Sequence, residues 1–251
     1  MRLTNLAIPA LMLALFLCNV VLYGGFLQSE HAISFASASS NQPFDGGAGA
    51  VTPRANKGPA ELAAEHAESD DSESLPGRFV PAQGRQHTPA YPLRDRVRFC
   101  DSDHVANDCY ASNPPTSGLH LPVQGTVLLA DGHRLRIPPD PGIYEFDVPR
   151  EAIAHIEEHA GVYVGYSCAS DACRTTVERI RDLVTEEISL GARVVMSPDA
   201  DLDQNTIGLA AWTRVDTFDA ADYSDDRVRR FIKAHSCRFD PELFCKGAQL
   251  N

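Results

Sequence analysis

Two histidines near the middle of the chain are spaced to share one metal ion. His155 and His159 lie four positions apart in PREAIAHIEEHAGVYVGYS (Pro149–Ser167), a stretch that predicts a short helix followed by a buried strand. Residues at i and i+4 lie on one helix face, so both imidazoles can bind the same ion. The alternative is structural, with two histidines at the edge of the core bonded to backbone carbonyls.

The same residues also fit H-x-x-E-H, a zinc peptidase motif in which the glutamate activates a zinc-bound water. In that chemistry Glu158 is catalytic, and a later helix supplies a further carboxylate from among Glu178, Glu186 and Glu187. Against this, the helix is predicted to end at His159, whereas peptidase motifs lie within longer helices. Because a five-residue motif also arises by chance, hydrolysis stays an alternative to metal binding.

The charge balance argues against a nucleic-acid partner. The 251 residues carry 22 Lys and Arg against 34 Asp and Glu, a net charge of −12, and no basic cluster is present. The length allows one sizeable domain with appendages. No pattern identifies a protein partner.

An N-terminal membrane anchor is predicted for residues 1–27. Leu6–Leu27 carries no charge over 22 residues, enough for a helix to span about 30 Å of hydrocarbon. Apolar regions of signal peptides are shorter, about 7–15 residues, which favours an uncleaved anchor, although Ala36-Ser37-Ala38 is a candidate cleavage site. We therefore expect a single-pass protein whose C-terminal domain lies outside the cytoplasm, in the periplasm or at the cell surface.

Residues 28–90 are predicted to form a disordered linker, because they are rich in Ser, Gly, Pro and acidic residues. Within this linker Pro59–Ala67 is expected to form a transient helix, and His87 is taken to be solvated. The folded domain is predicted to span 91–251. Its six cysteines form three pairs close in sequence: Cys100/Cys109, Cys168/Cys173 and Cys237/Cys245. Since disulfides persist outside the cytosol, three local disulfides are predicted, although six cysteines allow 15 connectivities.

The remaining patterns predict an α+β domain, with a mixed sheet packed by about three helices. Apolar runs on both sides of Asp131-Gly132 predict a hairpin with a type I′ turn. Helices are predicted at Thr175–Leu190 and, capped by Ser224, at Asp225–His235. Buried strands are predicted at Val162–Tyr166, Arg193–Ser197 and Ile207–Thr213, the last holding a core Trp212.

Several segments keep the order of motifs of a known family. NPPTSGLHLP, GIY, AHIEEHAGVYVGY, VVMSPD and GLAAWTR resemble, over about Cys109–Glu242, the DUF3105 domain, a family of unknown function. The resemblance implies a fold and an extracytoplasmic location but no activity. The chain departs from the family pattern at Glu157, where Leu is usual, and at Ala160 and Thr213, where Gly is usual.

The resemblance also groups His120, which follows the rigid loop PPTSG, with His155 and His159. Three neutral imidazoles suit Cu or Zn, so the leading hypothesis is one transition-metal ion bound by these histidines. Glu158 is expected to orient a ligand histidine, with a structural salt bridge as the alternative. Met196 is considered as a soft fourth ligand for Cu(I), although a methionine in a buried strand is more often part of the core. A metal-free interaction or assembly module at the cell surface is the further alternative.

Overall fold

The computed structural model describes residues 58–88, 97–101, 108–122 and 125–245. The predicted anchor and residues 28–57 of the predicted linker lie outside this range. Within the described residues, no helix is long and apolar enough to cross a membrane.

A mixed six-stranded sheet forms the centre of the fold. The described residues form eight strands, six of them in this sheet: β1 (Arg78–Phe79), β2 (Gly125–Leu128), β3 (Arg134–Ile137), β4 (Gly142–Ile143), β5 (Val162–Ser167), β6 (Val194–Pro198), β7 (Thr206–Ala211) and β8 (Arg214–Asp219). The sheet order is β1-β8-β7-β5-β6-β4, while β2 and β3 form a separate antiparallel hairpin. Strands β4, β6 and β5 run parallel, and the other neighbours in the sheet are antiparallel.

Four α-helices lie among the described residues: α1 (Pro59–Ser69), α2 (Arg150–Glu158), α3 (Asp171–Ser189) and α4 (Asp225–His235). Successive residues of a strand point to opposite faces of its sheet. Val164 therefore packs with α3 and α4 on one face, and Tyr163 packs with α2 and the β2–β3 hairpin on the other. The predicted α+β class and mixed sheet are confirmed, with helices on both faces.

Serine caps begin helices α3 and α4, and α3 starts four residues before the predicted Thr175. The Ser170 hydroxyl accepts a hydrogen bond from the Cys173 N–H, and the Ser224 hydroxyl accepts one from the Arg227 N–H, both at 3.2 Å. Such caps satisfy backbone donors that the first helical turn leaves unpaired. Helix α4 has the bounds that its apolar spacing predicts.

The structure differs from the predicted linker over residues 58–88, which pack onto the domain, while the helix predicted at Pro59–Ala67 is present as α1. Helix α1 buries Ala64 and Ala67 against Trp212 and Phe239, and β1 pairs with β8. The Trp212 indole N–H donates to the Glu68 carboxylate at 3.2 Å. Two alanines make a weak apolar signal, and the tryptophan that covers them lies far away in the sequence. The prediction that Trp212 belongs to the core is confirmed.

Two local predictions need correction. A type I′ turn requires positive φ at both central residues, but only Gly132 of the Asp131-Gly132 pair has it, at +91°. The Leu129 N–H instead donates to the His133 carbonyl at 2.8 Å, so the hairpin has a longer loop. The strand predicted at Ile207–Thr213 ends at Ala211, and the chain reverses at Thr213, with φ +64°, into the unpredicted β8.

The three predicted local disulfides are confirmed: Cys100–Cys109, Cys168–Cys173 and Cys237–Cys245. By the loop-entropy model, each short loop contributes roughly 2–3 kcal/mol to the free energy of unfolding. The Cys237–Cys245 disulfide closes a loop at the C-terminal end of the described chain, and this loop reaches the cavity described next.

Candidate metal centre

The end of helix α2 positions the histidine pair. The His159 N–H donates to the His155 carbonyl at 3.1 Å, and the Gly161 N–H donates to the Ile156 carbonyl at 2.8 Å. With Ala160 at φ +67°, the Gly161 bond is the 6→1 bond of a Schellman motif, so the helix ends at Glu158 with His159 as its C-cap. A Cβ at Gly161 would lie 2.5 Å from the Ile156 side chain, so only glycine fits there.

Residues 86–88, which were predicted to belong to the linker, hold the backbone of His120. Its N–H donates to the Gln86 carbonyl at 3.0 Å, and its carbonyl accepts from the Thr88 N–H at 2.7 Å. The His120 ring Nδ1 lies 3.0 Å from the Gly118 carbonyl. Because a carbonyl only accepts, Nδ1 carries the proton and Nε2 keeps its lone pair, the arrangement seen in metal-ligating histidines.

The three predicted histidines come together at one cavity of about 410 Å³. Ring centroids lie 4.9 Å apart for His120 and His155, and 4.6 Å apart for His155 and His159. All three residues are buried. The cavity is also lined by Arg85, His87, Pro122, Glu158 and Glu242.

The ring nitrogens of the histidine pair are poorly satisfied by hydrogen bonds. His155 Nε2 lies 3.0 Å from His159 Nε2, and His159 Nε2 also lies 2.9 Å from Glu158 Oε2. One proton on His159 Nε2 cannot serve both neighbours. The Nδ1 atoms of His155 and His159 are buried and have no hydrogen-bond partner. A bound cation would satisfy the nitrogen lone pairs that the protein leaves without hydrogen-bond donors.

The electrostatics favour the protonation states that a metal ion requires. Burial lowers the pKa of His155 to about 3, aided by the neighbouring His159 and His120. Burial also lowers the pKa of His120, against the opposing effects of the Gly118 carbonyl and Glu158. For Glu158 burial raises the pKa, but the hydrogen bond and charge of His159 and the charges of His120 and His155 outweigh it, so the pKa is lowered. Neutral imidazoles and an ionised carboxylate are the metal-binding forms.

Two compact donor sets are present among the described residues. His120, His155 and Glu158 each offer a ligand atom within 4.8 Å of the others, and so do Glu158, His159 and Glu242. The structure thus places the predicted orienting residue, Glu158, between the histidines, in contact with His159.

The sequence interpretation missed three residues of the cavity. The His87 ring lies 4.7 Å from the His120 ring, although His87 is exposed, as predicted. Arg85 Nη1 lies 3.9 Å from Glu158 Oε1, and Glu242 Oε2 lies 3.8 Å from His159 Nδ1. No periodicity links these residues to helix α2, because they come from segments that meet it only in the folded chain.

Other sequence candidates lie elsewhere. Met196 is buried in the core on the α3 and α4 face of the sheet, so its interpretation as a fourth ligand is wrong. Glu186 and Glu187 bind Arg229, and Glu178 lies 3.8 Å from Arg181. The further carboxylate at the cavity is therefore Glu242 rather than a residue of α3.

Comparison with known proteins finds a family model but no characterised relative. The model described as "Protein of unknown function (DUF3105)" matches residues 103–247, a range that includes the three histidines, Glu158 and Glu242. No curated protein and no solved structure matches the chain. The segment that holds the His120 backbone precedes the matched range.

Proposed function

Because the chain belongs to the DUF3105 family, whose function is unknown, we propose a function from the cavity itself: it binds a transition-metal ion, Zn or Cu, through His120, His155 and His159. One observation carries the proposal. Buried imidazole nitrogens of His155 and His159 face each other at 3.0 Å, and the His120 ring, with its Nε2 unprotonated, lies 4.9 Å from the His155 ring.

The distance within the histidine pair suits two ligands of one ion. Two nitrogens that are each about 2.0–2.1 Å from zinc in a tetrahedral or more compact arrangement lie roughly 3.0–3.4 Å apart. The His155–His159 separation of 3.0 Å is in that range. The six cysteines in the described part of the chain all form disulfides, so they offer no thiolate for Cu(I), and imidazole and carboxylate favour Zn(II) or Cu(II).

Elemental analysis tests the proposal directly. The full chain would be loaded with zinc, dialysed and measured for bound metal by mass spectrometry. We expect stoichiometric zinc in the wild type and its loss in the His155→Ala variant. His133→Ala is the matched control, because His133 is an exposed histidine of the hairpin that pairs with Asp131. A wild type without zinc, or equal zinc in the wild type and in His155→Ala, would contradict the proposal.

Zinc-dependent hydrolysis is a second candidate function, favoured by the cavity beside the histidines and by two carboxylates at its wall. Glu158 follows His155 by three positions, as the H-x-x-E-H motif requires of the residue that activates water. The zinc-loaded and metal-free chains would be assayed side by side against unfolded protein substrates. Cleavage only in the zinc-loaded sample is the expected result, and equal cleavage in both would remove this candidate.

We also propose that Leu6–Leu27 anchors the chain in a membrane, with the domain outside the cytoplasm. The uncharged sequence of this segment and the three disulfides of the domain support the proposal. Protease added to intact spheroplasts should release the domain by cutting within residues 28–57. Full protection while the membrane stays intact would contradict it.

A further inference from the structure

The cavity contains more ligand side chains than one tetrahedral ion needs. Besides the exposed His87, five donor residues line it: His120, His155, Glu158, His159 and Glu242. Zinc takes four ligands in structural sites and three plus a water in catalytic sites. The five donors form two sets that share only Glu158, and the ligand atoms within each set lie within 4.8 Å of one another.

We infer that the cavity binds two divalent ions bridged by the Glu158 carboxylate, an inference that rests on the proposed metal function. His120 and His155 bind the first ion, while His159, which would join them at a single ion, instead binds the second ion with Glu242. A carboxylate has two oxygens with about four lone-pair positions, so one oxygen can face each ion. Glu158 is buried between the two groups of ligands.

The second set has an observation of its own. His159 Nδ1 is buried, has no hydrogen-bond partner, and lies 3.8 Å from Glu242 Oε2. This separation is too long for a hydrogen bond. It is within the roughly 4.2 Å that two ligands about 2.1 Å from one ion can span. A cation between the two groups would satisfy the unpaired nitrogen.

Glu242 is held at the cavity by a closed loop. The Cys237–Cys245 disulfide closes the loop. Inside it, the Asp240 carboxylate accepts the N–H groups of Phe244 at 2.7 Å and Cys245 at 2.9 Å. The Phe244 ring lies 4.4 Å from the His159 ring. Because the loop is cross-linked, little further entropy is lost when Glu242 binds an ion.

A second ion changes what the site can do. Two divalent ions carry four positive charges, and the two carboxylates neutralise half of them. Arg85, close to Glu158, adds a further positive charge. The remaining positive charge favours binding of hydroxide or of another anion in the cavity. Paired metal ions can also stabilise both the attacking and the leaving oxygen of a displacement reaction.

Metal stoichiometry tests the inference in the full chain. Titration with zinc, followed by calorimetry and elemental analysis, should give two ions per wild-type chain and one per Glu242→Ala chain. The Glu242 side chain is 48% exposed, so its removal should leave the fold intact, as thermal unfolding would verify. His133→Ala should keep two ions. In the copper-loaded wild type, magnetic coupling should weaken the paramagnetic resonance signal per ion, and Glu242→Ala should restore an uncoupled signal.

The outcomes separate the two proposals. One zinc per wild-type chain would overturn the two-ion inference and leave the proposed metal function standing. No zinc would overturn both. Two ions in the Glu242→Ala variant, or two uncoupled copper ions in the wild type, would place the second ion elsewhere and overturn the inference.

Discussion

Two buried histidines, His155 and His235, differ in a way that separates a candidate site from a structural core. They are 3% and 2% exposed, and burial is the main cause that lowers the pKa of each to about 3. His235 is fully paired, because Nε2 donates to the Pro76 carbonyl at 2.8 Å and Nδ1 accepts from Arg238 Nε at 3.1 Å. Its nitrogens are used within the protein.

His155 has no such partners. Its Nδ1 is unpaired, and its Nε2 meets the nitrogen of another histidine at the cavity wall. Burial and a lowered pKa are therefore common to both residues and do not distinguish function. The distinguishing feature is whether the protein itself satisfies the ring nitrogens.

The largest expected difference in the free energy of unfolding is between His235→Ala and His155→Ala. His235→Ala should lower the free energy of unfolding by about 2–4 kcal/mol, because it leaves the Pro76 carbonyl and the Arg238 Nε unpaired and removes buried packing. His155→Ala in the metal-free protein should cost less by about 1–2 kcal/mol, since it loses similar packing but few hydrogen bonds. Urea unfolding of both variants measures this. Equal losses would contradict the comparison.

Acid should reveal the property that the two histidines share. Each is neutral in the folded state down to about pH 3 but becomes protonated below about 6.5 when unfolded. The unfolded state then binds more protons, so stability is full above pH 6.5 and falls by up to about 1.4 kcal/mol per pH unit per histidine as pH decreases toward 3. Either alanine variant, free of metal, should show a shallower slope. A slope unchanged from wild type would show that the replaced histidine is already charged in the fold.

Glu157 extends the comparison to a carboxyl group beside the site. It is 1% exposed, neither oxygen has a hydrogen-bond partner, and burial raises its pKa well above the usual value. Glu157→Leu should raise the free energy of unfolding by about 1–3 kcal/mol, the cost of an unsatisfied buried polar group. Glu187→Leu is the matched control, because Glu187 is equally buried but paired with Arg229, and it should destabilise. Loss of stability in both variants would indicate a partner for Glu157.

The smallest expected effect is at Ala160, where φ is +67° at the end of α2. Ala160→Gly should stabilise by about 0.5–1 kcal/mol, because glycine adopts this conformation without steric cost. Ala154→Gly, in the middle of the same helix, should instead destabilise by about 1 kcal/mol. Chemical unfolding measures both, and zinc binding should be retained in Ala160→Gly. A loss of stability in Ala160→Gly would contradict the assigned helix end.

Local sequence signals determined much of the molecule. The i,i+4 spacing of His155 and His159, the Ser224 cap, the nearest-neighbour cysteine pairs and the β2–β3 hairpin each depend on residues within a turn or a short loop. Such patterns specify which side chains share a helix face or which ends a loop joins. The position of His120 beside the pair came from the family resemblance, since no local pattern relates a loop to a helix further along the chain.

Only the tertiary structure decided what surrounds those residues. Period-two alternation shows that Met196 and Val195 point to opposite faces of the sheet but not which face carries α2, so a core methionine resembled a candidate ligand. Backbone hydrogen bonds to His120 bring Arg85 and His87 to the cavity. The loop closed by the Cys237–Cys245 disulfide brings Glu242 there. The packing of α1 on Trp212 likewise depends on contacts between distant parts of the chain. The energy of these contacts is realised only when the sheet has formed. The sequence therefore predicted a transient helix within a linker, where the structure has a helix packed on the domain.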